Sequence, residues 1–324
     1  MSLDTQLLSQ VVELIENKDN FAITTHIKPD GDGIGSSLGL CWLLRSLGKN
    51  AEVVMNGGIP QAYRGLPGVD EIRDVQSVNG KYDAVFVIEC SDLARPGIAG
   101  LDNQLTVNID HHATCEHFGT VNWIDSTASA VGEMIYNLCK AIGGKITPEI
   151  AECVYLALVA DTGSFRYSNT SDRTLKVASE LVKAGAKPAK VGEAVYNSYP
   201  WSRIELMRQV LDTVKRDESG RIATLRQTLA MGEESGAVDG DNNGFVNIPL
   251  AAKDIVAVIY MREVAPNSFR ASLRSRGDIN VAKVAEKFGG GGHRNAAGLS
   301  VDGPWDDAEA TLIAAISDAI DKVA

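Results

Sequence analysis

The sequence predicts a two-domain α/β protein, with an N-terminal domain built on a mainly parallel sheet flanked by helices and a smaller C-terminal α/β domain. Three observations support this prediction. The chain has 324 residues, short apolar runs alternate with helical patterns, and a Gly- and Pro-rich break interrupts the alternation near residues 185–203. We place the two domains at residues 1–187 and 204–324, joined by a connector at 188–203.

Strands of the N-terminal domain are predicted from short apolar runs. These runs lie at residues 21–26 (FAITTH), 51–55 (AEVVM), 83–89 (DAVFVIE) and 105–110 (LTVNID). After an amphipathic N-terminal helix, apolar periodicity predicts helices at 35–47, about 128–142, 148–160 and 172–184. Strands that are apolar on both faces and alternate with helices favour a parallel sheet covered on both sides.

The C-terminal domain shows a different order of elements. Strands are predicted at residues 221–227, 254–264, 268–275 and 296–301, and helices at 280–288 and 304–320. Several strands therefore follow one another before a closing helix, which is typical of a small α/β unit.

Composition and charge restrict the function and the location. The net charge is -11, so a basic surface for long duplex nucleic acid is not expected. No apolar stretch reaches the roughly 18 residues of a membrane span, and the N-terminus lacks the pattern of a signal peptide. The five cysteines form no CxxC pair, which argues against a disulfide framework. We therefore expect a cytoplasmic protein with no membrane partner.

Polar side chains collect where the predicted elements of the N-terminal domain end. His26, Asp30 and Asp32 follow the first strand. The ends of later elements supply Glu89, Asp110, His111, His112 and Asp161. Because ligands of parallel α/β sheets bind beyond the carboxyl ends of the strands, we expect these side chains to converge. Taken singly, Asp30 or Asp32 would equally fit a helix N-cap.

This set of side chains suits divalent cations. Carboxylates at close range repel one another unless a cation neutralises them. Six of the residues, namely His26, Asp30, Asp32, Glu89, His111 and Asp161, are enough ligands for two ions. Mixed oxygen and nitrogen donors without thiolate favour Mn²⁺ or Mg²⁺ over a structural Zn²⁺. Two such ions about 4 Å apart stabilise in-line displacement at phosphorus, so the residues predict phosphoester hydrolysis.

The C-terminal domain carries a second signal, which favours anion binding. A run of glycines that includes Gly290, Gly291 and Gly292 precedes His293 in "FGGGGH". Consecutive glycines let backbone N–H groups approach an anion, although a flexible turn would give the same pattern. Alternate positions of a predicted strand carry Arg270, Arg274 and Arg276, which should share one face. A solvated edge strand is the alternative explanation of the arginines.

Four motifs in order resemble the DHH/DHHA1 phosphoesterase family: "HIKPDGDGIGSS", "IDHH", "ADTGSF" and "FGGGGHRNAAG". They extend from about Phe21 to Leu299. The resemblance implies a DHH metal-binding phosphoesterase domain at 1–187, with two Mn²⁺ ions, and a DHHA1 substrate-binding domain at 204–324.

The resemblance also implies roles for individual residues. His26 and Asp30 would hold the first ion, and Asp32, His111 and Asp161 the second. Glu89 stands where the family usually has a bridging aspartate, and Asp92 is a rival for that role. His112 would contact the scissile phosphate or assist the leaving oxygen, with Asp110 orienting a histidine. In the second domain, Arg274 and His293 are the favoured substrate contacts, ahead of Arg270 and Arg276.

The substrates implied are very short oligoribonucleotides, linear dinucleotides and pAp, because a compact two-domain chain looks most like the nanoRNase-type branch of the family. A homodimer is left open. A stand-alone cyclic-dinucleotide phosphodiesterase, a single-strand exonuclease and a non-catalytic nucleotide- or metal-binding module are the alternatives. A dinucleotide oxidoreductase is disfavoured because no GxGxxG follows the first strand.

Overall fold

The computed structural model describes residues 3–80, 82–238 and 240–323. The chain divides into two compact units between Ser198 and Tyr199. This division falls inside the range 188–203 that the sequence predicts as the connector.

The first unit alternates strands and helices. In the residues that the structure describes, its elements are α1 (Leu3–Asn17), β1 (Asn20–Thr25), α2 (Gly31–Ser46), β2 (Asn50–Met55), β3 (Arg73–Asp74), β4 (Ala84–Ile88), β5 (Thr106–Asp110), β6 (Val121–Ile124), α3 (Val131–Ala141), α4 (Pro148–Asp161), α5 (Asp172–Ala184) and α6 (Pro188–Tyr196). Within this part of the chain, the six strands form one sheet in the order β3-β2-β1-β4-β5-β6.

All neighbouring strands of this sheet run parallel, which confirms the predicted fold class. Every residue of β4 and β5 is buried, as their continuous apolar runs predict. The strand order reverses direction between β1 and β4. A crevice opens beyond the carboxyl ends of the strands at such a reversal, so the residues that follow β1 and β4 are placed to meet a ligand.

A stripe of glycines lets α2 lie unusually close to α4. Gly31, Gly35 and Gly39 recur every four residues along one face of α2. A Cβ atom on Gly31 would lie 2.5 Å from Cβ of Ala160, and one on Gly35 would lie 2.5 Å from the carbonyl oxygen of Cys153. This close contact brings the start of α2 beside the end of α4. The sequence analysis missed this signal.

We expect Gly35→Ala to lower the free energy of unfolding by about 1–3 kcal/mol, because its Cβ would overlap backbone atoms of α4. Gly192→Ala is the matched control. A Cβ on this α6 glycine meets nothing within 4 Å in the described structure, so the change should be neutral or stabilising by up to about 1 kcal/mol. Urea unfolding of both variants checks the expectation, and equal stabilities would contradict close packing of α2 on α4.

The second unit is a mixed sheet with helices. The described elements are α7 (Trp201–Leu211), β7 (Lys215–Arg216), β8 (Ile222–Gln227), α8 (Leu229–Ser235), α9 (Asn247–Leu250), β9 (Ala257–Ala265), β10 (Ser268–Ser275), α10 (Val281–Glu286), β11 (Gly291–His293), β12 (Ala296–Asp302) and α11 (Trp305–Asp321). Within them the sheet order is β11-β12-β10-β9-β8-β7. Only the β8–β9 pair is parallel among these described strands.

The predicted connector is mostly helical, as α6 and the start of α7 show. Its prolines stand at helix starts. Pro188 is in the first turn of α6, and Pro200 is the N-cap residue of α7. Proline is tolerated there because the first N–H groups of a helix have no intrahelical partner. The prolines therefore mark helix starts rather than an irregular loop.

The glycine run is not the flexible turn that the sequence left open as an alternative, because Gly291–His293 forms the edge strand β11 and pairs with β12. A Cβ on Gly290 would lie 2.3 Å from the carbonyl oxygen of Gly298, and one on Gly292 would lie 2.5 Å from that of Ala296. Close approach to β12 therefore accounts for these two glycines.

Candidate metal centre

His26 follows β1, and its ring is oriented by the backbone. Its Nδ1 lies 3.1 Å from the carbonyl oxygen of Ile27. A carbonyl oxygen can only accept, so Nδ1 is the donor in this contact and Nε2 is the nitrogen left to face other groups. Nε2 faces two carboxylates, at 4.0 Å from Asp30 Oδ1 and 3.8 Å from Glu89 Oε2. This nitrogen is therefore available to a cation.

Asp30 is the N-cap residue of α2. Its Oδ1 accepts from the backbone N–H groups of Asp32 and Gly33, both at 3.0 Å. The helix therefore begins at Gly31 rather than at the predicted residue 35. The N-cap role and a ligand role are compatible, because the cap uses only one carboxylate oxygen.

Glu89 follows β4 in a left-handed backbone conformation, with φ of 56°. This conformation is uncommon outside glycine, and such residues cluster at functional sites. The side chain is buried, and its Oε2 has no hydrogen-bond donor in the described residues. A Cβ on Gly33 would lie 3.1 Å from this oxygen, so the glycine leaves room for the carboxylate.

His111 follows β5 and repeats the arrangement of His26. Its Nδ1 lies 3.2 Å from the carbonyl oxygen of Ala128, so Nδ1 carries the proton. The buried Nε2 has no hydrogen-bond partner in the part of the chain that the structure describes. It lies 3.9 Å from Asp32 Oδ2 and 3.5 Å from Asp161 Oδ2. Both histidines thus present Nε2 to carboxylates.

Asp32 lies in the first turn of α2 and is fully buried. Its Oδ1 accepts from Ser36 Oγ at 2.7 Å and from the N–H of Gly132 at 3.0 Å. Its Oδ2 accepts from the N–H of Val131 at 2.7 Å. These bonds fix the carboxylate opposite His111.

Asp161 is the last residue of α4. Asn169 donates from Nδ2 to the backbone oxygen of Asp161 at 3.2 Å and approaches its Oδ2 at 3.5 Å. The sequence analysis missed Asn169, because nothing in an isolated asparagine eight residues further on indicates this contact.

The six predicted ligands come together in the structure. Three overlapping sets each place one donor atom per residue within 4.8 Å of the others: His26, Asp30 and Glu89; Asp32, Glu89, His111 and Asp161; and Glu89, His111 and His112. Glu89 belongs to all three sets. Asp92 belongs to none of these described sets, and its Oδ1 accepts from the backbone N–H groups of Ala94 and Arg95.

The electrostatics of this cluster fit divalent cations. Burial, followed by the charge of Asp161, raises the pKa of Asp32 from 3.8 to about 7. Burial and then Asp32 raise the pKa of Glu89 well above its usual value. The carboxylates lie close together, and two buried atoms, Glu89 Oε2 and His111 Nε2, have no hydrogen-bond partner in the described residues. A cation would neutralise the carboxylates and bind both of these atoms. The cluster can therefore hold metal ions.

Asp110 and His112 form a hydrogen-bonded pair beside the cluster. His112 Nδ1 lies 2.8 Å from Asp110 Oδ1, and this bond raises the pKa of His112. Burial opposes ionisation of Asp110, but hydrogen bonds from the side chain and backbone of His112 outweigh it and lower the pKa. The same oxygen accepts from the N–H of His111 at 2.6 Å. Asp110 thus orients the His112 ring and holds the backbone of His111.

In the second unit, β10 presents Arg270 as an exposed residue and Arg274 as a half-buried one on the same face. Arg276 lies one residue beyond β10, and its guanidinium donates to the backbone oxygen of Leu250. Arg262 of β9 lies directly opposite Arg270. Sequence reasoning missed Arg262, because strand register cannot be inferred from the sequence. The side chain of His293 lies outside the described part of the structure.

We expect Mn²⁺ to raise Tm more at pH 8 than at pH 5.5. The pKa of Asp32 is about 7 in the folded protein, above its usual 3.8. Between pH 3.8 and pH 7 the folded metal-free protein therefore binds more protons than the unfolded chain, and the contribution of Asp32 to the free energy of unfolding falls as the pH rises. Over the same range the carboxylate loses its proton and can bind a cation. Thermal melts with Mn²⁺ and with EDTA at each pH check this. An equal or larger gain at pH 5.5 would contradict it.

None of the helices in the described residues has the length and apolar character needed to cross a membrane.

Residues 20–158 match the DHH family, N-terminal domain, and residues 226–322 match the DHHA1 domain. A crystal structure of an exopolyphosphatase-related protein from Bacteroides fragilis matches with a TM-score of 0.90 and 28% identity, covering 97% of this chain and 96% of the other.

The chain belongs to the DHH/DHHA1 family of phosphoesterases, which makes it a hydrolase. It is 34% identical over 300 residues to the bifunctional oligoribonuclease and PAP phosphatase NrnA of Thermus thermophilus, covering 92% of this chain and 88% of the relative. It is 28% identical over 315 residues to the protein of the same name from Bacillus subtilis, covering 94% and 96%.

Proposed function

We propose that this chain hydrolyses phosphoester bonds in very short oligoribonucleotides and linear dinucleotides, and converts pAp to AMP, with two Mn²⁺ ions at the cluster around Glu89. The observation that carries the proposal is the presence of Glu89 in all three sets of candidate ligands. The names of the relatives, oligoribonuclease and PAP phosphatase, support the substrates. Mg²⁺ is the alternative ion, because the donors are oxygen and imidazole nitrogen.

The candidate sets support the assignments that the resemblance implies. His26 and Asp30 would hold one ion and Asp32, His111 and Asp161 the other, with Glu89 within reach of both groups of ligands. When bound, such ions stabilise charge on phosphoryl oxygens and activate water. The carbonyl groups of Ile27 and Ala128 orient the two histidine rings through Nδ1, so that Nε2 faces the carboxylates.

His112 is proposed to donate a proton to the leaving oxygen as the P–O bond breaks. Its Nδ1 donates to Asp110, which stabilises the imidazolium, the form in which Nε2 also carries a proton that can be transferred. Asp110 is buried and also accepts backbone N–H groups, so it acts through His112 rather than on the substrate.

The second unit is proposed to bind the phosphate and sugar of the substrate through Arg270, Arg274, His293 and the glycine run at 290–292, with Arg276 as the weakest candidate. Since β11 is an edge strand, one side of Gly291–His293 pairs with β12 and the other has no strand partner in the described sheet. Backbone N–H groups at a strand edge can donate to an anion. The guanidinium of Arg274 suits a phosphate because it offers several donors in one plane.

Arg274→Ala should raise KM for a diribonucleotide by roughly tenfold and change kcat by less than about threefold, because it removes binding made equally in the ground and transition states. The exposed Arg216→Ala, in β7, makes the same change of charge and is expected to leave both constants unchanged. Steady-state kinetics give the answer. An unchanged KM would place Arg274 outside the binding surface.

A substrate panel tests the proposed function as a whole. The purified protein with Mn²⁺ is incubated with pAp, RNA dimers to pentamers, long single-stranded DNA, a cyclic dinucleotide and pyrophosphate. We expect fastest release of products from pAp and the shortest RNAs. Preference for long DNA or for the cyclic dinucleotide would favour the alternative phosphodiesterases, and no hydrolysis of any compound would contradict the proposal.

The five cysteines are free thiols, which supports cytoplasmic residence as part of the same proposal.

A further inference from the structure

The turn formed by residues 128–132, called the anchor turn here, holds two of the proposed ligands directly. The carbonyl oxygen of Ala128 faces Nδ1 of His111 at 3.2 Å. The N–H groups of Val131 and Gly132 donate to Asp32 at 2.7 and 3.0 Å. The position of the anchor turn therefore sets the orientation of both side chains.

The anchor turn holds a third ligand through one intermediate side chain. Asn169 donates from Nδ2 to the carbonyl oxygen of Ser129 at 3.0 Å and to the backbone oxygen of Asp161 at 3.2 Å. Asp161 thus keeps its place at the end of α4 through the same short segment. Three ligands from three different elements depend on one turn.

A buried carboxylate holds the anchor turn. Glu133 is fully buried, and its Oε2 accepts from the N–H of Ser129 at 3.1 Å and from Ser129 Oγ at 2.6 Å. Thr174 Oγ1, at the start of α5, approaches the same oxygen at 3.4 Å. A buried carboxylate needs such donors, since burying a charge without them is strongly unfavourable.

The charge of Glu133 is balanced by Arg173 of α5. Arg173 Nε contacts Glu133 Oε1, while Nη2 lies 3.5 Å from Asp125 Oδ2. Asp125 closes the turn before Ala128, since its carbonyl oxygen accepts the N–H of that residue at 3.1 Å. The planar guanidinium therefore fixes the two carboxylates that flank the anchor turn, which a flexible ammonium group would do less well.

We propose that the Glu133–Arg173 ion pair is a positioning device for the metal centre: it fixes the anchor turn and thereby the spacing of His111, Asp32 and Asp161. Neither residue belongs to any set of candidate ligands in the described structure. Glu133 acts through its hydrogen bonds to Ser129, and Arg173 acts through its ion pair with Glu133. Changes to such supporting groups lower metal affinity or activity by about 10–100-fold. The inference rests on the proposed metal centre.

Arg173→Gln tests this inference. The Arg173 side chain is 42% exposed, so we expect the variant to fold. Calorimetric titration of the metal-free protein with Mn²⁺ should show a rise in Kd of about 10-fold or more. With a diribonucleotide, kcat should fall by a similar factor, and KM should stay within about twofold. Arg173→Lys keeps the charge and should recover part of both losses.

Two further variants complete the test. Lys176→Gln removes the same charge from an exposed position of α5 and should match wild type in Mn²⁺ affinity and kcat. Ser129→Ala removes the hydroxyl that donates to Glu133 and should weaken Mn²⁺ binding in the same direction as Arg173→Gln. Melts of the metal-free proteins report stability separately.

The outcomes separate the inference from the proposed function. Failure of wild type to bind Mn²⁺ would refute the metal centre itself. If wild type binds two ions and Arg173→Gln binds them as tightly, with only Tm lowered, the ion pair is merely structural and the inference is wrong. A rise in KM with unchanged Mn²⁺ affinity would instead make Arg173 a substrate contact and would also overturn the inference.

Discussion

Glu89→Gln is expected to lower kcat by roughly 10³-fold, equivalent to about 4 kcal/mol of transition-state stabilisation. Glu89 belongs to all three sets of candidate ligands, and its buried Oε2 has no donor in the described residues. The amide keeps the shape of the side chain but removes the charge that two cations would share. We therefore expect metal analysis to show the loss of at least one of two bound Mn²⁺ ions.

Two companion variants sharpen this result. Glu116→Gln makes the same change at an exposed residue and should keep full activity and both ions. Glu89→Asp keeps the charge and shortens the side chain by one methylene, so we expect intermediate activity. Full activity of Glu89→Gln, with two ions bound, would contradict the shared role of this carboxylate.

His112→Ala is expected to lower kcat on a diribonucleotide by about 10²–10⁴-fold, the usual size of general acid catalysis, with little change in KM. The physical reason is the bond from His112 Nδ1 to Asp110, which raises the pKa of His112 and so favours the imidazolium that a general acid requires. The exposed His117→Ala should have wild-type kinetics.

A change of leaving group distinguishes the two roles open to His112. The p-nitrophenyl ester of thymidine 5′-monophosphate releases a phenolate that needs no protonation. If His112 protonates the leaving oxygen, His112→Ala should lose much less activity on this ester than on the diribonucleotide. An equal loss on both substrates would show that His112 instead binds the phosphate or an ion, and the general acid role would be wrong.

The sequence predicts the parallel sheet of the first unit because its strands are buried on both faces and therefore read as unbroken apolar runs. Other features depend on the identity of spatial neighbours. The spacing of Gly31, Gly35 and Gly39 acquires meaning only when α4 lies against α2. Gly290 and Gly292 suggested a loop, but their lack of Cβ atoms permits close pairing with β12.

The convergence of the candidate ligands was predictable because each lies at or near the end of a strand or helix, and the parallel sheet brings its strand ends to one edge. Their supporting groups were not. The carbonyl of Ala128 and the amide of Asn169 act on His111 and Asp161, and neither carries a sequence signal. Arg173 has an ordinary place in the first turn of α5, so only the folded chain shows that it contacts buried Glu133.

Anomalous diffraction at the manganese edge, from crystals grown with Mn²⁺, tests the central claim most directly. We expect two peaks: one among His26, Asp30 and Glu89, and the other among Asp32, Glu89, His111 and Asp161. The crevice beyond β1 and β4 should contain both. No peak there at saturating Mn²⁺, or peaks bound by other side chains, would contradict the assignment of this cluster as the metal centre.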